Sequence, residues 1–240
     1  MNSFLWKLDF VRYIIVACTK LPMINRKRKK GLVKEVEAYI NDYAEHWGKH
    51  TINKAGIKMN IKGLENIPKE TCLFVANHQS LLDVPVMMGF LNKPIGFIGK
   101  KELAKVPGIS TWMKQLHCIF IDRENVKEAV KTINLGVEYL KSGYSMAIFP
   151  EGTRGKGEEL GEFKKGSLKL GTKAGVPIVP VTIDGTYNTL EANGWKMIPN
   201  TINLTVDKPI YVSSLTKEEQ NDLIITIKNI ISENLKNNNA

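Results

Sequence analysis

His78 and Asp83 stand five residues apart, directly after the short apolar run Cys72–Ala76. Histidine has an ordinary pKa of about 6.5, which suits a general base near neutrality. Such a base needs a group to fix its tautomer and stabilise the imidazolium, and a carboxylate does both. On one regular helix, residues five apart diverge by about 140°. The pair can therefore meet only if His78 precedes a helix and Asp83 lies in its first turn. Ser80 is a good N-cap, which puts Asp83 at the third helical position and makes the encounter feasible. The same residues admit a plainer reading. Ser80-Leu81-Leu82-Asp83 has the spacing of a capping box, with Asp83 turned back on the Ser80 N–H and His78 a satisfied loop residue.

A second stretch, Phe149-Pro150-Glu151-Gly152-Thr153-Arg154-Gly155, also follows an apolar run, Met146–Phe149. Pro150 stops a strand, and glycines at 152, 155, 157, 161, 166, 171 and 175 permit close backbone approach. Arg154 offers a planar fork for two phosphate oxygens, and the N–H groups of Gly152 and Thr153 suit an anion. Glu151 either orients Arg154 or bonds a substrate hydroxyl. The alternative is a solvated turn with an ordinary Glu–Arg pair.

Other constellations fail on context. Gly143-Tyr144-Ser145-Met146-Ala147 precedes a strand, the reverse of a nucleophile elbow. Gly155-Lys156-Gly157 lacks the helix that a dinucleotide fingerprint opens. His46, His50, His78 and His117 have no matching carboxylate or cysteine set, so no metal site is expected. Cys18, Cys72 and Cys118 are odd in number and far apart, which argues against a disulfide framework and for a reducing compartment.

The elements that must position these residues are legible as a change of period. Apolar runs at Ile57–Ile61, Cys72–Ala76, Ile95–Ile98, Cys118–Ile121, Met146–Phe149, Ile178–Ile183 and Ile202–Val206 read as strands. A helix over 125–142 shows Val126, Val130, Ile133, Val137 and Leu140 on one face, with Gly143 placed for a left-handed cap. A last helix starts near Thr216, where Thr216 and Glu219 have capping-box spacing. Alternation of this kind predicts an α/β fold, a mainly parallel sheet flanked by helices, with ligands beyond the carboxyl ends of the strands.

The 240 residues, 43% hydrophobic and 24% charged, exclude a disordered or fibrous chain and suffice for one large domain. Most of the +10 net charge sits in residues 1–30, where eight basic side chains face Asp9 alone. Lys7, Asp9, Arg12 and Lys20 interrupt the apolar stretch there, so neither a membrane span nor a cleaved signal peptide is expected. On a helical projection Asp9, Arg12, Thr19 and Lys20 share one arc, and Phe4, Leu8, Val11, Ile15 and Cys18 share another. An amphipathic helix followed by the cluster Arg26–Lys30 matches the two-signal pattern for lying in an anionic membrane surface. The plainer alternative is a helix packed on the domain with a solvated basic tail. No nucleic-acid-binding motif accompanies the cluster, so nucleic acid is not an expected partner. A second helix over 32–54 completes an N-terminal two-helix membrane-docking hairpin, residues 1–54, ahead of an α/β domain, residues 55–240.

Four blocks in order give the chain a family resemblance: Asn77-His78-x₄-Asp83, Ile119-Phe120-Ile121-Asp122-Arg123, Phe149 to Gly155, and Val176-Pro177-Ile178-Val179-Pro180-Val181. Lys100-Lys101-Glu102-Leu103 lies between the first two. Over roughly residues 60–185 the chain resembles the glycerolipid acyltransferase family, and most of all its 1-acyl-sn-glycerol-3-phosphate acyltransferases. The resemblance implies His78 as general base and Asp83 as its orienting carboxylate. It implies Glu151, Gly152, Thr153 and Arg154 as the acceptor-phosphate site, with added positive charge from Arg123 and Lys100. The implied reaction carries a fatty acyl group from acyl-CoA or acyl carrier protein to the hydroxyl of lysophosphatidate, giving phosphatidic acid in phospholipid biosynthesis. It needs no cofactor beyond that thioester, and its place is the cytoplasmic face of the cell membrane. Glycerol 3-phosphate or another lysophospholipid is the alternative acceptor. A catalytically silent lipid-binding protein is the reading from another class.

Overall fold

A computed structural model describes residues 3–122, 125–155, 157 and 159–238. The chain opens with α1 (Ser3–Lys29), turns at Gly31, and returns as α2 (Val33–Lys54). Strand β1 (Lys58–Lys62) follows, then β2 (Leu73–Ala76), α3 (Asp83–Phe90), β3 (Gly96–Lys100), α4 (Ile109–Gln115) and β4 (Ile119–Ile121). Next come α5 (Val126–Lys141), β5 (Met146–Ile148), α6 (Lys169–Ala174), β6 (Ile178–Asp184), α7 (Thr186–Thr189), β7 (Thr201–Val206) and α8 (Lys217–Asn238).

The strands form one sheet in the order β1-β7-β6-β2-β5-β3-β4. From β6 to β4 every pair is parallel; β7 runs antiparallel to β6, and β1 parallels β7. All seven strands expected from the apolar runs are present. Central β2, β5 and β6 are buried throughout, as strands covered on both faces must be, whereas edge strand β1 alternates.

Two hydrophobic layers cover the sheet. Phe74 and Ala76 of β2 face Ile52 of α2 and Val86, Met87 and Leu91 nearby. Leu73 and Val75, one residue out of phase, face Leu140 of α5, Leu170 of α6 and Ile227 and Ile231 of α8. Val130 of α5, expected on the apolar face, is exposed instead. The expected caps are present: Gly143 has φ +98°, and Thr216 and Glu219 exchange bonds through Thr216 N to Glu219 Oε2 at 2.7 Å and Glu219 N to Thr216 Oγ1 at 3.3 Å.

Helix α2 shares the core of the sheet. A Cβ on Gly48 would lie 2.5 Å from the amide nitrogen of Gly89 in α3, so the two backbones touch. Helix α1 divides its apolar girth between two environments. Trp6, Ala17 and Ile24 are buried, and the Trp6 indole donates to the Thr51 carbonyl at 3.2 Å. Leu5, Leu8, Val11 and Ile15 are half exposed or more, on an outward stripe. Cys18, expected on that stripe, is half-buried beside the α1–α2–α4 core, and the Phe4 side chain lies outside the described ones. Among the described residues no helix is long and apolar enough to cross a membrane.

Candidate active site

Strand β2 delivers Asn77 and His78 at its carboxyl end. The Asn77 side chain acts as a further rung of pairing with β6: Nδ2 donates to the Ile183 carbonyl at 2.7 Å, and Oδ1 accepts the Ile183 N–H at 2.8 Å. His78 is thereby fixed at the root of its loop. Its Nδ1 lies 2.7 Å from Asp83 Oδ2. Asp83 is fully buried, and its carboxylate is saturated with donors. Oδ2 also accepts the N–H of Gln79 at 2.7 Å and of Ser80 at 2.8 Å, and Oδ1 accepts the Thr186 hydroxyl at 2.6 Å.

Both sequence readings of this turn therefore hold at once. Asp83 takes the Ser80 N–H as a capping box does, and it takes the imidazole as well. The helix starts later than expected, at Asp83 itself. A carboxylate so held orients the ring and leaves Nε2 as the nitrogen able to accept a proton.

Strand β5 delivers the second loop against the first. Glu151 is buried beneath the site: Oε1 accepts the His78 N–H at 2.8 Å and Oε2 the Gly161 N–H at 2.9 Å. A Cβ on Gly161 would approach Oε2 to 2.8 Å, so the position stays bare. Burial pushes the Glu151 carboxyl above its ordinary value, and the two N–H bonds pull the other way. The Phe149 ring stacks on His78, with centroids 4.1 Å apart. Gly152, at φ +72°, donates its N–H to the Phe149 carbonyl at 3.0 Å and so turns the chain toward Thr153 and Arg154.

The carboxylate against Arg154 is Glu191, at 2.9 Å from Nη1, rather than Glu151. Glu191 and Thr186 lie more than 100 residues along the chain from the loop they support, and no local pattern marks them.

One cavity of about 950 Å³ joins these groups. His78, Gly152, Thr153 and Arg154 line one part, with Lys100 from the end of β3. Trp6, Phe10, Tyr43, Trp47, Trp112 and Met113 line an apolar part roofed by α1 and α2. Arg123 lies outside the described residues. Cys118, also on the cavity wall, accepts the Phe97 N–H through Sγ at 3.2 Å; burial pushes its thiol up to about 12. It is therefore a poor nucleophile at neutral pH.

Residues 58–184 match the family model described as Acyltransferase. A probable 1-acyl-sn-glycerol-3-phosphate acyltransferase of Mycoplasma pneumoniae is 38% identical over 141 residues, 57% of this chain and 53% of that protein. Another, from Mycoplasma genitalium, is 34% identical over 190 residues, 74% of this chain and 70% of that one. The chain spans about half the length of some curated relatives, 53% in the Mycoplasma pneumoniae protein and 52% in one from Brassica napus. The crystal structure of PlsC from Thermotoga maritima, titled a 1-acyl-sn-glycerophosphate acyltransferase, superposes with a TM-score of 0.78 at 27% identity, covering 98% of both chains. With the family model covering more than half of its length and the fold matched end to end, the chain belongs to the acyltransferase family.

Proposed function

We propose that the protein acylates 1-acyl-sn-glycerol 3-phosphate from an acyl thioester, acyl-CoA or acyl carrier protein, and releases phosphatidic acid. One observation carries the reading: His78, held from behind by Asp83, shares a single cavity with Arg154 and an apolar hollow. An acceptor with a hydroxyl, a phosphate and a fatty chain has a counterpart for each.

His78 Nε2 takes the proton of the acceptor hydroxyl as its oxygen attacks the thioester carbon. The C–O bond forms, the C–S bond breaks, and the proton passes to the leaving thiolate. Asp83 stabilises the imidazolium in between. General-base help of this kind contributes typically about 10²–10⁴ in rate. Arg154 holds the phosphate, aided by Thr153 and Gly152, and so fixes where the hydroxyl sits; such orientation contributes further. Lys100 and Arg123 add positive charge, and Glu151 holds the backbone of His78. No covalent acyl-enzyme forms, and the reaction draws on no cofactor beyond the thioester.

The outward stripe of α1 and the Arg26–Lys30 cluster dock the protein on the anionic cytoplasmic leaflet of the cell membrane. A single-chain lipid can then enter without leaving the interface. The test is purified protein with lysophosphatidate, glycerol 3-phosphate or a neutral lysophospholipid, and a panel of acyl thioesters, scored by free thiol. Release with lysophosphatidate that disappears in His78→Ala supports the reading. Release only with another acceptor, or undiminished release in the variant, defeats it.

A further inference from the structure

Glu191 opens a short 3₁₀ turn, Glu191–Asn193, beyond the 58–184 span matched to the family and beyond all four sequence blocks. Its side chain is only 13% exposed, and both oxygens are engaged. Oε2 accepts the Ser80 hydroxyl at 2.5 Å; Oε1 accepts the Leu81 N–H at 2.9 Å and Arg154 Nη1 at 2.9 Å. On another side, the Arg154 guanidinium lies over the Trp195 ring, 5.3 Å from its centroid. Trp195 adopts φ +67°, unusual for so large a side chain, and its N–H bonds the Leu190 carbonyl at 3.2 Å.

We infer that Glu191 is the positioning residue of the acceptor-phosphate site. The turn between His78 and Asp83 seats its carboxylate, and the carboxylate with Trp195 aims Arg154. This rests on the reading of Arg154 given above. A free arginine samples many rotamers and loses that freedom when it grips a ligand. Here Glu191 takes Nη1 and leaves the edge formed by Nε and Nη2 for a phosphate, the geometry in which a guanidinium holds two oxygens at once. Ser80 and Leu81 sit between the proposed base and its carboxylate partner, so the same contacts index the phosphate grip to His78. Hydroxyl and phosphate of the acceptor are a fixed glycerol unit apart, and the two protein groups that serve them share that fixed relation.

The experiment measures KM for lysophosphatidate, KM for acyl-CoA and kcat in the whole 240-residue chain. The variants are Glu191→Gln, Ser80→Ala, Arg154→Ala and Glu191→Gln/Arg154→Ala. Glu191→Gln keeps the side-chain length and removes the charge. It is expected to raise the lysophosphatidate KM about tenfold, the scale of one charge-assisted hydrogen bond, with the acyl-CoA KM unchanged. Ser80→Ala, which keeps the other two contacts, shifts the same constant in the same direction by less. In the Arg154→Ala background, adding Glu191→Gln changes kcat/KM by under about twofold, because the group it aims is gone.

Three results overturn the inference. One is an unchanged lysophosphatidate KM in both Glu191→Gln and Ser80→Ala. Another is an equal loss from Glu191→Gln with and without Arg154. The third is a matching rise in the acyl-CoA KM. If the unsubstituted protein releases no thiol with lysophosphatidate, the functional reading fails and this inference with it. If it does so and Arg154→Ala weakens acceptor binding, those three results refute Glu191 alone.

Discussion

Gly155 gives its backbone N–H to the carbonyl oxygen of His78 at 2.7 Å, while the N–H of His78 goes to Glu151. The polar backbone groups of the proposed base are thus both taken by the loop that carries Arg154. Base and guanidinium are therefore parts of one hydrogen-bonded unit, not neighbours that happen to line the same hollow.

Removing the base should show most clearly in the chemical step. His78→Ala is expected to lower single-turnover thiol release by about 10²–10⁴, with little change in acceptor KM. Asp83→Asn should approach the same loss, since an amide cannot satisfy His78, Gln79, Ser80 and Thr186 together. Full-rate turnover in His78→Ala would remove His78 from the mechanism, and full-rate turnover in Asp83→Asn would remove the orienting role of Asp83.

Glu151 carries a pH signature in stability. Burial raises its carboxyl in the folded chain, so the native state keeps that proton to higher pH than the unfolded state does. The proton-linked slope is then negative. Stability falls as pH rises from the ordinary glutamate value through the raised native one, and levels off above it. Thermal melts of Glu151→Gln should lack this component while lying lower overall, because the amide meets two N–H donors. Melting curves that track those of the parent in parallel with pH would contradict the assignment.

Cysteine reactivity separates direct transfer from a thioester-enzyme route. Burial pushes Cys72 to about 11 and Cys118 to about 12, whereas Cys18 is partly exposed. Brief iodoacetamide treatment at neutral pH should add one label to the native protein, on Cys18, and three after denaturation, as read by mass spectrometry. Labelled native protein should keep its turnover. An acylated cysteine recovered from a single-turnover mixture would overturn direct transfer.

Membrane docking is best tested by point substitution, because deleting residues 1–30 would also strip Trp6, Ala17 and Ile24 from the core. Leu8 and Ile15 are 50% and 61% exposed on the outward stripe. Each large apolar side chain withdrawn from water is worth about 1.5–3 kcal/mol. Leu8→Glu with Ile15→Glu should therefore lower sedimentation on anionic vesicles by more than tenfold, with an unchanged melting temperature. Equal sedimentation would end the docking proposal.

Much of this architecture is legible in the amino-acid sequence alone. The strands could be found because continuous apolar runs such as Ile178–Ile183 are what a sheet covered on both faces requires. His78 and Asp83 could be paired because both belong to one strand-to-helix turn. The reversal of β7 was not visible, since period alone carries no strand direction. The division of α1 was hidden because its girth is apolar nearly all round, and only packing chooses between Trp6 and Leu5. Glu191 and Thr186 were beyond reach for a different reason. Each is an ordinary residue locally, and chain folding over more than 100 positions gives it its partner.

The bare contact of Gly48 with Gly89 has one more consequence. Helix α3 begins at Asp83, and α2 carries α1 with its outward leucines and isoleucine. Because peptide meets peptide at that crossing, no side chain can rotate away to let the hairpin slide or tilt. The height of the imidazole relative to the outward stripe of α1 is consequently set by main-chain thickness, a dimension that substitution elsewhere in the hairpin leaves untouched.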